Sequence, residues 1–166
     1  MTARAESLAQ AFAAANDELI GLLERAGPEK WRERTPDDGE LRPVGVIAHH
    51  VAEAHVRIAR RVEAFARGEP VAARHPELFD DRNAREAQEH PDPDQRATIE
   101  RLEHIGATIF SMIAGLSDAE LDRTSSEDPG APALTTAEVI ELRQIGHVRS
   151  HLATIRAALR AAGSPD

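Results

Sequence analysis

Two histidines near the C-terminal end of the chain have a spacing that suits metal binding. His147 and His151 stand at positions i and i+4 of a segment with helical periodicity. Their imidazoles therefore lie one turn apart on the same helix face, where both can reach a single ion. Arginines cluster on the opposite face, which marks the side that contacts water. The pattern predicts that the histidine pair points into the protein.

A third histidine, on an earlier helical segment, can complete the site. The apolar stripe of that segment places His50 at the border of the core and His49 on the solvent side. Three neutral imidazoles from two helices would bind one divalent metal ion and leave coordination positions open to water or substrate. Histidines that are merely hydrogen-bonded inside the core remain the alternative. His55 is a weaker candidate, and the remaining histidines have no partner at helical spacing: His75, His90 and His104.

Two other metal architectures are excluded by pattern. A ferritin-like di-iron site needs Glu-x-x-His motifs, and Glu never stands three residues before a histidine of this chain. The zinc peptidase motif HExxH is also missing, because residue 148 is Val. Neither a di-iron bundle nor a zinc peptidase is expected.

The composition limits the class of protein. The 166 residues fit one domain spanning 1–166, and the net charge of −9 argues against a nucleic-acid partner. No stretch approaches the roughly 20 apolar residues of a membrane span, so we expect a cytoplasmic protein with no membrane association. Cys is absent, so any thiol chemistry must use sulfur from another molecule.

Helical periodicity between turn-forming residues predicts an all-α four-helix bundle. The four long segments run over about 3–26, 43–68, 93–116 and 135–162. Capping boxes begin at Ser117 and Thr135, and Gly68 is a natural helix end. The linker 69–92 is long enough to cross over between the second and third helices, and it includes a predicted short helix around Asn83 to Gln88. The segment from Arg123 to Leu134 is predicted to be a surface loop.

The order of these features resembles the DinB-like family of metal-binding four-helix bundles, which includes mycothiol-dependent maleylpyruvate isomerases and bacillithiol transferases. The resemblance spans nearly the whole chain. It rests on Trp31, the turn Asp37-Asp-Gly-Glu40, the segment Pro43-Val-Gly-Val-Ile-Ala-His-His50, the segment 115–122 and Gly146-His-Val-Arg-Ser-His151. The resemblance implies His50, His147 and His151 as ligands of zinc first, or of nickel or iron. It also implies an up-down-down-up topology and a homodimer.

The leading functional hypothesis is a metal-dependent, thiol-dependent S-transferase that acts on small electrophiles. A metal ion can deprotonate a low-molecular-weight thiol, as in the family's transferases. Alternatives are a metal-dependent hydrolase that uses bound water, a metal that only ties helices together, and a non-catalytic helical binding or stress-response protein. Gln144 and Glu53 could orient the imidazoles, and His55 and Asn83 could line the pocket. The family's usual His and Arg around the last ligand are replaced by Ser150 and Leu152, so the substrate stays unspecified.

Overall fold

Helices make up most of the described chain. The structure is a computed structural model that describes residues 2–37, 40–71, 76–126 and 130–161. Its helices are α1 (Ala3–Glu24), α2 (Pro28–Trp31), α3 (Val44–Arg67), α4 (Pro76–Glu89), α5 (Gln95–Ala114), α6 (Asp118–Leu121), α7 (Thr136–Val139) and α8 (Gly146–Ala161). A π-helical segment, Ile140–Ile145, joins α7 to α8 in one continuous helix. The predicted all-α four-helix bundle is confirmed, with helix ends shifted by a few residues.

Local capping explains where several helices begin and end. Both predicted capping boxes are present, with Ser117 opening α6 and Thr135 opening α7. Gly68 ends α3 in the left-handed conformation, with φ of 69°. Asp94 accepts a hydrogen bond from the backbone of Ala97, so α5 starts two residues later than expected.

Contacts at the helix ends give the direction of each long helix. Gln95, the first residue of α5, donates hydrogen bonds to the carbonyls of Leu23 and Ala26 at the end of α1. The helices α1 and α5 are therefore antiparallel. Near the other end of α5, Arg123 follows α6 and donates to the carbonyl of Ala66 at the end of α3. Both α3 and α5 end on the same side, so they are parallel.

The last helix runs antiparallel to α3. Thr136, at its start, donates its backbone N–H to the carbonyl of Arg123, beside the end of α3. Towards its C-terminal end, Arg156 forms an ion pair with Glu18 in the second half of α1. The long helices thus follow the predicted up-down-down-up order. Two parallel neighbours, α3 and α5, need the crossover that contains α4.

Some elements differ from the prediction. The short helix of the crossover was expected at 83–88, and it is longer, spanning Pro76–Glu89. Two antiparallel hairpins pair β1 (Arg34–Asp37) with β2 (Glu40–Pro43), and β3 (Thr124–Ser125) with β4 (Leu134–Thr135). The second hairpin closes the ends of the segment expected to be a loop. The predicted turn after Asp37 includes residues 38 and 39, which lie outside the described residues, as do His75 and residue 162.

The core is built mainly from aliphatic side chains of the four long helices. Phe12 on α1 and Phe65 on α3 are buried aromatic members of the long helices, and Trp31 on α2 closes one end of the core. Burial of such side chains contributes roughly 1.5–3 kcal/mol each to stability. Among the described residues, no helix combines the length and apolar character that a membrane crossing requires.

Trp31 fixes the beginning of α3. Its ring lies against Gly45, where a Cβ atom would come within 2.4 Å of the indole. Its Nε1 donates a 2.9 Å hydrogen bond to the carbonyl of Pro93, just before α5. One side chain therefore sets the spacing between the starts of the two parallel helices.

The Gly45→Ala variant is expected to lose about 1–3 kcal/mol of unfolding free energy, because the indole cannot move away without breaking its hydrogen bond. Gly21→Ala is the matched control. Its Cβ would meet only the flexible end of Arg25, at 3.2 Å, and removal of a glycine inside α1 should be neutral or stabilising by about 0.5–1 kcal/mol. Urea denaturation of both variants tests this contrast, and equal effects would contradict the role given to Trp31.

Candidate metal centre

The structure brings together the three histidines that the sequence singled out. His50 comes from α3, whereas His147 and His151 come from consecutive turns of α8. One ligand atom from each histidine lies within 4.8 Å of the other two. The ring centroids of His147 and His151 are 4.5 Å apart, and both rings lie 5.3 Å from that of His50. Each pair is tilted or edge-on, so the rings converge on one point without stacking.

The distances fit a divalent cation. The Nε2 atoms of His50 and His147 are 3.3 Å apart. Two nitrogen ligands at about 2.0–2.1 Å from a tetrahedral zinc ion would be separated by roughly 3.3–3.4 Å. A direct hydrogen bond between two imidazoles would normally be shorter, at about 2.9–3.0 Å. The geometry therefore suits two ligands of one ion better than two hydrogen-bonded rings.

The protonation state of His147 also suits a metal ligand. Burial is the main cause that lowers the pKa of His147 to about 2, and the neighbouring His151 and His50 lower it further. The ring is thus neutral near pH 7, as a metal ligand must be. Its Nδ1 is buried and has no hydrogen-bond partner among the described residues. The three imidazoles form a set of nitrogen ligands that could hold zinc, nickel or iron with coordination positions left open.

A carboxylate from the crossover helix lies behind His50. Glu86 on α4 places Oε2 at 3.5 Å from Nδ1 of His50 and Oε1 at 3.5 Å from Nδ1 of His49. The guanidinium of Arg57 also lies 3.5 Å from Oε2. Burial alone would raise the pKa of Glu86, but the interactions with His49, His50 and Arg57 hold it well below its usual range. An ionised carboxylate therefore faces the side of His50 that points away from His147.

The position of His49 differs from the sequence-based expectation. The helical pattern placed it towards solvent, yet its side chain is only 15% exposed. It contacts Glu86, and its ring lies against that of His90, tilted by 33° with centroids 4.4 Å apart. The pattern of α3 could not show that α4 would cover this face.

Comparisons with known proteins agree with this arrangement. The sequence family described as the DinB superfamily matches residues 11–155 of the chain. The chain belongs to the DinB superfamily. Its fold is shared by YfiT from Bacillus subtilis, described as a probable metal-dependent hydrolase with an unusual four-helix bundle topology. That structure has a TM-score of 0.77 and 18% sequence identity, and the alignment covers 99% of this chain and 91% of YfiT.

A second structure shows the same DinB fold. It is an uncharacterised protein from Escherichia coli UTI89, with a TM-score of 0.73, 13% identity, and coverage of 96% of this chain and 94% of that protein. A comparison with curated proteins gave no match. At these identities the two structures establish the fold alone, so the chemistry must be argued from the residues of this DinB chain.

His55 lies inside the core of this DinB bundle and not at the mouth of a pocket. Its side chain is fully buried, with Nε2 at 3.0 Å from Oδ1 of Asn16 and Nδ1 at 3.1 Å from Nε2 of Gln144. Asn16 donates its amide to the carbonyl of Leu102, so its oxygen faces His55. The ring must then donate from Nε2 and accept at Nδ1. The expectation that His55 lines a pocket does not fit this placement.

The structure also gives the positions of the other polar residues that the sequence singled out, Gln144, Glu53 and Asn83. Gln144 is fully buried, but its amide contacts His55 and its Oε1 has no hydrogen-bond partner among the described residues. Glu53 forms an ion pair with Arg101 at 2.7 Å, on the side of α3 that faces α5. Asn83 lies one turn before Glu86 on α4, with its Oδ1 buried. Glu86, which sequence reasoning missed, is a polar residue that does contact a candidate ligand, His50.

The stability of the protein should depend on pH through His55. Burial lowers its pKa to about 4 in the folded state, from 6.5. The unfolded chain therefore binds more protons between these values, and stability is lost as the pH falls through this window. Protonation of His55 on unfolding should lower the free energy of unfolding by about 2 kcal/mol between about pH 7 and pH 5.

The His55→Gln variant should show a smaller decrease over the same interval, because the amide can hydrogen-bond but does not titrate. The measurement is urea denaturation at both pH values with a chelator present. His104→Gln, which replaces an exposed histidine on α5, should behave as the wild type does. A wild-type pH dependence in the His55 variant would show that this histidine is not the cause.

Proposed function

We propose that this DinB protein is a metal-dependent enzyme that acts on small molecules at the site formed by His50, His147 and His151. The observation that carries the proposal is the convergence of three imidazoles from two helices within 4.8 Å. The cluster formed by the described residues contains no carboxylate. Three protein ligands leave room for a molecule that reacts, as in catalytic sites, whereas structural zinc sites usually have four.

Each residue at the site has a distinct role in this proposal. A divalent cation, zinc first and nickel or iron next, would lower the pKa of a water molecule or thiol and so supply a nucleophile. His50, His147 and His151 hold the ion, and the buried surroundings of His147 keep that ring unprotonated. Arg57, on the same helix as His50 and 31% exposed, is a cation beside the site.

Thiol transfer is the reaction that we place first. The chain has no Cys, so a thiol nucleophile must come from a separate low-molecular-weight compound. A metal ion deprotonates a coordinated thiol without a general base, and the histidine cluster includes no carboxylate that could act as one. The family that the sequence resembles includes thiol-dependent transferases, and this agrees with the choice. In the reaction, a sulfur–carbon bond forms, the leaving group departs with its electron pair, and the thiol proton passes to solvent.

Hydrolysis by an activated water molecule is the second candidate. The observation in its favour is the shared fold of YfiT, described as a probable metal-dependent hydrolase. The two reactions use the same ligands and differ in the nucleophile. A homodimer, implied by the family resemblance, is a further part of the proposal that light scattering after gel filtration can test.

The metal site predicts about one ion per chain in protein purified without a chelator. The His50→Ala, His147→Ala and His151→Ala variants should each lose it, because two imidazoles hold an ion much less tightly than three. Mass spectrometry of the metal content is the measurement. His104→Ala is the control, since this exposed histidine lies outside the cluster. Folded, metal-supplemented wild type without any ion would remove the basis of the proposal.

The choice between the two reactions rests on the need for thiol. With chlorodinitrobenzene as the electrophile, the zinc-loaded wild type should form thioether and chloride only when a small thiol is added. His147→Ala should fall to the uncatalysed rate. With p-nitrophenyl acetate and no thiol, catalysed release of nitrophenol would instead support the hydrolase, and thiol-independent turnover alone would overturn the transferase assignment.

A further inference from the structure

The crossover helix α4 contacts the bundle at the back of the candidate metal site. Its described contacts to α3 are polar, since Glu86 lies beside His49, His50 and Arg57. The ring of His90, the residue directly after α4, lies against that of His49. None of the side chains described on α4 is fully buried. Over residues 80–89, where the side chains of α4 are described, such polar contacts therefore contribute to its position on α3.

The two ring nitrogens of His50 face different neighbours. Nε2 points to Nε2 of His147, at 3.3 Å, and Nδ1 points to Oε2 of Glu86, at 3.5 Å. A carboxylate can only accept a hydrogen bond, so its presence favours the tautomer in which His50 carries its proton on Nδ1. That tautomer leaves the lone pair of Nε2 directed at the other two imidazoles.

Glu86 is itself held by more than one contact. Its other oxygen, Oε1, lies 3.5 Å from His49, and Arg57 approaches Oε2 from the next turns of α3. The carboxylate is only 12% exposed. Contacts on both oxygens restrict the carboxylate, so it can orient the imidazole of His50 instead of following it.

We propose that Glu86 is a positioning residue for His50, and that metal binding at the three histidines is thereby coupled to the docking of α4 on α3. This inference rests on the metal site of the proposed function. At 3.5 Å from Oε2 of Glu86, Nδ1 of His50 forms no hydrogen bond among the described residues. An ion on Nε2 would make the Nδ1 proton a better donor and would so favour a hydrogen bond to Glu86. Since coupling between two equilibria is reciprocal, a docked α4 strengthens metal binding and a bound ion stabilises docked α4.

The first test is the zinc dissociation constant, measured by competition with a chromophoric chelator. Glu86→Ala should bind zinc about 10- to 100-fold more weakly than the wild type, the usual effect of losing a carboxylate behind a histidine ligand. Glu86→Gln keeps an acceptor oxygen and should fall between the two. Glu89→Gln, which removes an exposed carboxylate from the same helix, should match the wild type.

The second test follows the position of α4 without any activity assay. Trypsin can cleave α4 after the exposed Arg85. Zinc should slow this cleavage, relative to chelator, in the wild type and in Glu89→Gln. In Glu86→Ala, at a zinc concentration that saturates the site, the protection should be largely lost. If Glu86→Ala loses helix content by circular dichroism, Glu86→Gln provides the comparison.

Two results would overturn the inference while leaving the proposed metal site intact. Zinc affinity and protection in Glu86→Ala equal to those of the wild type would show that Glu86 does not position His50. A loss of zinc in Glu86→Gln as complete as in His50→Ala would make Glu86 a ligand in its own right. Failure of the wild type to bind metal is a different result, because it removes the proposed function as well.

Discussion

A chain of buried hydrogen bonds links all four long helices and sets their positions relative to one another. Asn16 on α1 donates to the carbonyl of Leu102 on α5 and accepts from His55 on α3, and His55 accepts from Gln144 in the last helix. Buried polar groups lose free energy unless they are paired, so a shift of any one helix would be costly. Apolar side chains alone would tolerate such sliding more easily.

The hydrogen-bonded chain bears directly on the metal centre. His55 lies five residues after His50 on α3, and Gln144 lies three residues before His147. The contact between His55 and Gln144 therefore holds α3 and the last helix in the register that brings the candidate ligands together. Gly106 allows α5 to lie close to α1, because a Cβ atom at this position would meet the amide nitrogen of Asn16 at 2.5 Å.

Much of this architecture could be predicted from periodicity and helix-end signals. The long helices follow a regular spacing of apolar residues, and capping residues such as Thr135 mark their ends. The i, i+4 spacing of His147 and His151 is a local property of one helix, and it predicts their shared face. The prediction that His50 borders the core required one further step, which was to measure the angle between its side chain and the apolar stripe of α3.

The features that the sequence did not reveal depend on contacts between distant segments. Glu86 and His49 meet only because α4 folds back over α3, and no local pattern gives the position of a crossover helix. His55 was placed at the edge of the apolar stripe, although Asn16 and Gln144 satisfy both of its nitrogens inside the core. The π-helical segment was missed as well, since its residues are ordinary helix formers and only the packing reveals the wider turn.

That wider turn has a consequence for how the gene can change. A π-helical turn holds one residue more than an α-helical turn, and in this chain it stands directly before His147. Because this wide turn already accommodates the extra residue, deletion of a single codon within 140–145 would restore an ordinary α-helical turn and leave the helix after it in nearly the same orientation relative to α7. His147 and His151 would keep both their mutual spacing and their direction towards His50. Loss of one codon in this segment is therefore less damaging to the centre than loss of one codon between His147 and His151, where the helix is α-helical and the second ligand would rotate by about 100° relative to the first.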